Sequence, residues 1–403
     1  MLYTYSVVLW IAVTMRLRIC VLLLFTLCTS HSVYCAQPPL VIGVDADLSA
    51  VAVDGGVAIS RGVELAVEEI NAQGGVLGRP LKLVTKDHRG NPARGIHNLK
   101  QYSENPDLLA VVGGVHTPVL LAEIDLIHEK NLLMLVPWAA GTPIVDNNHT
   151  PNNVFRVSVR DSEAATVLVG YAKKRAIKRV ALVLERTGWG RSNLASLTEA
   201  VSQQDIIISS VHWINWQQTD FSEDISSIKD ESVDAIILVT NVPEGAVVMN
   251  ELAAQGMTST PVVSHWGIAS GEFTSLLDKP IGEFDISVLQ TFHFNHQKNE
   301  NAKQLLASYQ NRYGVNDPLT IKGVTGLAHA YDLTHMVAQA ANDANSVQVS
   351  AVREKLETMA TFDGAVKQYS PPFTKERHDA LWSNDYFMTK FNDKGQLVTT
   401  DDR

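Results

Sequence analysis

Three of the seven tryptophans stand shortly after short apolar runs of the chain, at Trp138, Trp189 and Trp266. Runs of this kind predict buried parallel strands, whose carboxyl ends meet at one edge of a sheet. Aromatic faces gathered at such an edge attract flat or cationic groups, by roughly 0.5–2 kcal/mol for each cation–π pair. The alternative for Trp138 is that it only fills the core.

The pair Thr117-Pro118 follows another apolar run, 109–112, and is suited to the start of a helix. Threonine is a good N-cap, and proline fits the first helical turn. The N–H groups of Val119 and Leu120 would then be free, and together with the Thr117 hydroxyl they could hold a carboxylate. The alternative is that Thr117 only caps its helix.

Titratable side chains accompany these positions. Asp45 and Asp47 end the first apolar run and could receive an ammonium group. His116 and His265 flank the same region, and we expect them to be polar wall residues because no tight His/Asp cluster indicates a metal site. There is no G-x-G-x-x-G after the first strand, no Walker loop, no G-x-S-x-G and no H-E-x-x-H. We therefore expect a protein that is not an enzyme and has no cofactor.

The composition excludes several classes of protein. The chain has 403 residues, of which 45% are hydrophobic and 19% are charged, enough for two or three domains with cores of their own. These values exclude a disordered chain and a multi-span membrane protein. With 33 basic and 43 acidic residues the net charge is −10. An acidic chain without a basic cluster is a poor partner for nucleic acid.

The start of the chain has the pattern of an export signal. Arg16 and Arg18 precede the apolar run 19–27, and no acidic residue occurs in 1–36. A charged region followed by a short apolar run is typical of a cleaved signal peptide, which predicts a periplasmic protein. Met15, just before the arginines, is an alternative start.

All three cysteines lie within this leader, at Cys20, Cys28 and Cys35. The rest of the chain can therefore form no disulfide framework and no cysteine zinc site. Cleavage is expected after Cys35 or after Ala36. A lipoprotein linkage at Cys35 and a retained membrane anchor are the alternatives, the first weakened by the bulky Tyr34.

The remainder alternates strands and helices in two series, which predicts an α/β fold with parallel sheets and helices on both faces. The first series has strands at 41–44, 81–84, 109–112 and 132–136, and helices at 57–72, 92–103 and 118–130. The second has strands at 180–184, 206–211, 235–239 and from 261, and helices at 190–203, 221–229 and 243–255. Helices at 301–313 and 323–341 and a hairpin within 382–398 complete the prediction.

The stretch 71–81, Asn-Ala-Gln-Gly-Gly-Val-Leu-Gly-Arg-Pro-Leu, resembles the segment after the first helix of type I periplasmic binding proteins, notably the leucine/isoleucine/valine receptors of ABC transporters. Weaker matches at 111–117, 136–140, 188–190 and 220–222 occur in the expected order. The resemblance implies two Rossmann-like lobes joined by a three-crossover hinge. Lobe one would comprise 38–158 plus 285–350, and lobe two 159–284 plus 351–403.

The resemblance also implies site residues in the first lobe. Thr117, next to His116, matches a serine that binds the ligand carboxylate in the leucine receptors. Ala139 and Ala140 lie in a segment whose small residues and threonine contact the ligand backbone, although Ala140 replaces that threonine. Trp138 stands where a small residue is usual.

In the second lobe, Trp189 matches a tyrosine that faces the cleft, and Asn241 lies in a segment that carries another such tyrosine. Trp266 stands where the family has the glutamate that holds the ligand amine. This departure, with Trp138 and Trp189 expected to face Trp266 across the ligand, favours an aromatic, amide or ammonium-bearing solute over leucine, isoleucine or valine.

These observations predict an exported receptor that closes two lobes on a small amino-acid-like or aromatic solute and delivers it to an ABC permease. The alternative is a sensory receptor of the same fold that feeds a regulator or kinase, and an enzyme on this scaffold is a more distant one.

Overall fold

The computed structural model describes Trp10, residues 37–297 and residues 299–399. The predicted export signal therefore falls, apart from Trp10, outside the described residues. The chain divides into two compact units between Pro38 and Pro39, and the second unit contains both lobes. Among the described residues, no helix combines the length and apolarity needed to cross a lipid bilayer.

The first lobe is built on a five-stranded parallel sheet of order β2-β1-β3-β4-β5. Its strands are β1 (Leu40–Ala46), β2 (Leu81–Asp87), β3 (Leu108–Gly113), β4 (Met134–Val136) and β5 (Val154–Arg156). Helices α1 (Val53–Ala72), α2 (Pro92–Ser103) and α3 (Thr117–Glu129) connect the first four strands. Strand β1 is buried along its whole length, as its apolar run requires.

The second lobe is built on a seven-stranded sheet of order β14-β13-β10-β9-β8-β6-β7. Five strands are parallel: β6 (Arg179–Glu185), β7 (Ile207–Ile214), β8 (Ala235–Val239), β9 (Val262–Ser264) and β10 (Ile286–Gln290). The connecting helices are α4 (Asp161–Lys174), α5 (Gly188–Ser202), α6 (Ser222–Asp230) and α7 (Val242–Ala254). The side chain of Thr187 caps α5 by accepting from the N–H groups of Trp189 and Gly190.

The chain then returns to the first lobe through α8 (Glu300–Tyr313), α9 (Val324–Ala344) and α10 (Val349–Thr358). Helix α9 packs along α1, and Tyr331 of α9 donates to Glu69 of α1 at 2.5 Å. A small hairpin follows, formed by β11 (Phe362–Asp363) and β12 (Gln368–Tyr369). Strands β13 (Phe387–Phe391) and β14 (Leu397–Thr399) are antiparallel and close the second sheet.

The predicted α/β fold with two parallel-sheet lobes is confirmed. Two predicted lobe boundaries are wrong. Strand β10 was expected in lobe one, but it pairs with β9 and β13 in the second sheet, so the crossover follows Gln290. Residues 351–403 were expected in lobe two, and β13 and β14 do join the second sheet. The segment around His378 does not, because the Arg156 N–H donates to the His378 carbonyl and attaches this segment to the first sheet.

A buried ion-pair cluster joins two segments that run between the sheets, the one from β5 to α4 and the one that precedes β13. Arg156, at the end of β5, donates from Nε to Asp379 at 2.5 Å, and Arg160, just before α4, donates to the other oxygen of Asp379 at 2.9 Å. Arg156 and Asp379 are almost fully buried, with side chains 0% and 1% exposed. Burial alone would raise the pKa of Asp379, but the two guanidinium groups outweigh it and lower that pKa.

Candidate ligand-binding site

A small cavity lies between the two lobes, with a volume of about 280 Å³ including its opening to solvent. Its walls come from segments that follow the carboxyl ends of strands in both sheets, where ligands bind in doubly wound folds. Its interior has room for about one water molecule. The lining consists of Val115, His116, Thr117, Pro118, Trp138, Ala140, Glu185, Trp189, Trp216, Asn241 and Trp266.

Seven of the eight predicted ligand-binding residues are brought together in this lining, and Ala139 is the exception. Ala139 packs in the core of the first lobe, and its carbonyl accepts from Arg156 Nη1 at 3.2 Å. Consecutive residues after a strand tend to point to opposite sides, so Ala140 faces the cavity and Ala139 does not.

Trp138 and Trp266 meet across the cleft. Their ring centroids are 5.0 Å apart with the planes inclined at 30°, and the two residues are only 3% and 1% exposed. Trp189 packs edge-on against His265, with centroids 5.1 Å apart. The tryptophans were expected to face each other across a ligand, but in this structure Trp138 and Trp266 occupy the space between the lobes themselves.

Thr117 opens α3 as its first residue, and the N-cap is His116. The prediction that Thr117 is the N-cap was wrong by one residue. The N–H groups of Val119 and Leu120 both donate to the His116 carbonyl, at 3.1 and 3.3 Å, so the predicted free donors do not exist. The Thr117 hydroxyl accepts from the Gly141 N–H at 3.2 Å, which uses a lone pair and leaves the hydroxyl proton to donate.

Glu185 and Trp216 belong to the lining but were not predicted. Glu185 is the last residue of β6 and is 1% exposed. Its Oε1 accepts from the backbone N–H and the side-chain Nδ2 of Asn241, at 2.6 and 2.7 Å. Its Oε2 accepts from Trp216 Nε1 at 2.7 Å. Trp216 follows β7 and packs edge-on against His116, with centroids 5.2 Å apart.

A second carboxyl group, Glu244 in the first turn of α7, lies close behind Glu185. It accepts from the Gln217 N–H at 2.9 Å through Oε1, while its buried Oε2 has no hydrogen-bond partner among the described residues. Burial and the nearby Glu244 raise the pKa of Glu185 to about 8. Burial likewise raises the pKa of Glu244.

A family model described as periplasmic binding protein matches residues 39–396. The chain belongs to this family. Its members are solute-binding proteins with the two-lobed fold described above.

Among curated proteins, the Leu/Ile/Val-binding protein BraC3 of Rhizobium johnstonii is 28% identical over 251 residues. The match covers 60% of this chain and 65% of that relative, slightly less than two thirds of its length.

Two solved structures show the same fold. A type 1 periplasmic binding protein from Bordetella pertussis Tohama I matches with a TM-score of 0.79 and 22% identity, over 90% of this chain and all of that one. The branched-chain amino acid binding protein LivJ of Streptococcus pneumoniae, solved with isoleucine, matches with a TM-score of 0.76 and 21% identity, over 90% of this chain and 100% of that one.

In this periplasmic binding protein, Asp47 is not placed to receive a ligand amine as predicted. It accepts from the N–H groups of Ala50, Val51 and Ala52 at 2.9–3.0 Å and pairs with His116 Nε2 at 2.8 Å. Although burial opposes ionisation, the bonds from His116 and from the backbone lower the pKa of Asp47 well below its usual range. Asp47 therefore shapes the loop before α1 and orients His116.

Asp45 is also turned away from the cavity. It accepts from Asn98 Nδ2 of α2 at 2.8 Å, and burial raises its pKa to about 7. Glu123 of α3 is another buried acid, and burial, with the Asp45 charge, raises the pKa of Glu123 well above its ordinary value. Like Asp47, Asp45 is absent from the described lining of the cavity, so the structure does not place it to contact a ligand amine as predicted.

Asp161, the first residue of α4, contacts Trp189 and His265. Its Oδ1 accepts from Trp189 Nε1 at 3.2 Å and lies 3.3 Å from His265 Nε2. His265 accepts from the Trp266 N–H at 2.9 Å through Nδ1. Trp189 and Trp266 are thus linked by one hydrogen bond each, to Asp161 and to His265, and by the 3.3 Å approach of His265 to Asp161. His265 lies behind the lining and is not part of it.

Proposed function

We propose that this protein is an exported receptor that closes its two lobes on a small solute and presents it to an ABC permease. The observation that carries the proposal is the cavity at the carboxyl ends of strands from both sheets, closed by the contact between Trp138 and Trp266. Membership of a family of solute-binding proteins supports the same role. The leader with Arg16 and Arg18 supports export to the periplasm.

Direct contacts between the lobes hold the closed form together. The Thr142 N–H donates to Ser192 Oγ at 3.1 Å, and the Gly55 N–H donates to the Ser270 carbonyl at 3.2 Å. Lys322 of the first lobe pairs with Glu272 of the second. Opening breaks these contacts, so a ligand that adds contacts available only in the closed form shifts the population towards it.

The proposed solute is amino-acid-like, aromatic, amide or ammonium-bearing. BraC3 is named for leucine, isoleucine and valine, and LivJ was solved with isoleucine. Four tryptophans line the cavity of this chain. Because the cavity holds about one water molecule, a larger ligand must separate the Trp138 and Trp266 rings, and aromatic or cationic groups regain the lost ring contact best.

A thermal-shift screen of amino acids, amides, polyamines and aromatic acids on the purified protein tests the proposal, followed by titration of the intrinsic tryptophan fluorescence. We expect at least one compound to bind and change the fluorescence. The fluorescence change on binding should be smaller in the Trp266→Phe variant. It should persist in Trp382→Phe, a matched control, because Trp382 is 48% exposed and lies outside the cavity lining. Failure of every compound to bind would contradict the proposal.

Uptake in the native host tests delivery to a permease. Deletion of the gene should abolish high-affinity uptake of the identified compound, and re-expression should restore it. Unchanged uptake, together with a changed transcriptional response to the compound, would indicate the sensory role instead.

A further inference from the structure

The cavity has an uneven distribution of charge. Among the described residues that line it, Glu185 is the only carboxylate and no lysine or arginine is present. His116, the one histidine in the lining, is already paired with Asp47 at 2.8 Å. The lining therefore offers an acid to a ligand without offering a compensating base.

The hydrogen bonds of Glu185 match those of an ionised carboxylate. Three N–H groups, two from Asn241 and one from Trp216, all donate to it at 2.6–2.7 Å. An ionised carboxylate only accepts hydrogen bonds, whereas the protonated acid must also donate one. The donors therefore favour the ionised form of Glu185, while burial and the nearby Glu244 oppose it and raise its pKa to about 8.

That charge is costly in the structure as it stands. Glu185 is 1% exposed, and Glu244 behind it adds a carboxyl group with an unpartnered, buried oxygen. A buried carboxylate is stable only when a cation or a full set of donors compensates for its lost hydration. The three donors leave unfilled one of the roughly four lone-pair sites of the carboxylate, on Oε2. Among the described residues that line the cavity there is no cationic side chain to fill it.

We propose that Glu185 receives the cationic group of the ligand and so determines specificity. This inference rests on the proposed function. The favoured ligand is a compact molecule with an ammonium group, held between Glu185 and the faces of the surrounding tryptophans. An anion that lacks an amine is disfavoured, because the lining supplies no base.

The opposite wall completes the description of the ligand. The Thr117 hydroxyl accepts from the Gly141 N–H and retains its proton for donation. A ligand that carries a hydrogen-bond acceptor at one end and an ammonium at the other would satisfy Thr117 and Glu185 together. A simple amine satisfies Glu185 alone.

Two series of probes of nearly constant shape and different charge test the proposal on the full mature chain. One is benzylamine, benzyl alcohol and benzoate, and the other is isobutylamine, isobutanol and isobutyrate. In at least one series we expect the amine to bind ten-fold or more tightly than the alcohol, and the anion to bind most weakly. Equal or tighter binding of the alcohol or the anion in both series overturns the proposal.

The variant Glu185→Gln should lose the preference for the amine, with a ten-fold or greater fall in amine affinity and less than a three-fold change for the alcohol. Glu123→Gln is a matched control, since Glu123 is also a buried acid but lies outside the cavity lining. It should leave the preference unchanged. A folded Glu185→Gln protein that keeps the full amine preference overturns the proposal.

The wild-type series decides the proposal even if Glu185→Gln does not fold. Binding of other solutes in the broad screen with no amine preference would refute the role of Glu185 and leave the receptor function intact. Absence of any binding, in the screen and in both series, would refute the receptor function and this inference together.

Discussion

Replacement of Asp379 by asparagine should destabilise the protein far more than its small change in shape suggests. Asp379 accepts from Arg156 and Arg160 at the point where two crossovers meet, and both Arg156 and Asp379 are buried. Asparagine can accept from only one of the two guanidinium groups and turns an NH₂ donor towards the other. Arg156 would then carry a buried charge without its counterion.

Loss of one partner from a buried ion pair costs about 3–5 kcal/mol in the free energy of unfolding. Arg156 keeps hydrogen bonds to the carbonyls of Ala139 and Gly141, at 3.2 and 2.9 Å, and Arg160 is 18% exposed. The expected loss in the free energy of unfolding is therefore at the lower end of this range, about 3 kcal/mol. With an unfolding entropy of about 2.1 cal/mol/K per residue over roughly 360 folded residues, this corresponds to a fall in Tm of about 4 °C.

The assay is chemical denaturation monitored by circular dichroism, with Asp146→Asn as the matched control. Asp146 pairs with the same Arg160 but is 52% exposed, so its loss should cost no more than about 1 kcal/mol. Because the folded-state pKa of Asp379 is lowered, its contribution is present above the unfolded value, near 3.9, and is lost as the pH falls below it. The difference in the free energy of unfolding between the wild type and Asp379→Asn should therefore become smaller below about pH 4. If Asp379→Asn costs no more than Asp146→Asn, the cluster does not stabilise the hinge.

Three further predictions concern Thr117, a closely packed glycine and the leader. Thr117→Val removes the acceptor of the Gly141 N–H and should cost about 1 kcal/mol in stability, and about ten-fold in affinity if the ligand carries an acceptor; unchanged affinity would mean that Thr117 only positions its neighbour. Gly267→Ala places a Cβ 2.2 Å from the Thr240 carbonyl oxygen and should lower the unfolding free energy by about 1–3 kcal/mol, whereas Gly271→Ala, whose Cβ approaches no atom closer than 3.5 Å, should be nearly neutral. N-terminal sequencing of the exported protein should find a start near residue 37, and an intact leader would refute cleavage.

The positions of the site residues could be predicted because they depend on local pattern. Apolar runs predict buried strands, parallel strands end at the same edge, and Trp138, Trp189 and Trp266 follow such runs. The direction in which each side chain points depends less on the local sequence. Ala139 and Ala140 have the same residue type and adjacent positions, and only the geometry after β4 decides which of them reaches the cavity.

Glu185 was not predicted because its importance depends on partners distant in sequence. Asn241 and Trp216, 56 and 31 residues away, make it a buried acceptor. A charged residue directly after the run 180–184 was the available signal, but the same pattern is common at solvated strand ends.

The lobe boundaries failed for a similar reason. Strand β10 contains Ser287 and Gln290, so it is not a continuous apolar run. Its assignment to the second sheet depends on pairing with β9 on one side and, on the other, with β13, about a hundred residues later, where the Thr389 hydroxyl donates to the Val288 carbonyl at 2.8 Å. Pairing over such a distance leaves no local pattern in the sequence.

The most direct test of the central claim, that the tryptophan-lined cavity between the lobes is the ligand site, is a crystal structure with the tightest compound from the screen. We expect electron density for the compound between the Trp138 and Trp266 rings, within hydrogen-bond distance of Glu185 or Thr117, and an increase in the distance between the two ring centroids from 5.0 Å. Density for the compound outside this cavity, with Trp138 and Trp266 still in contact, would contradict it.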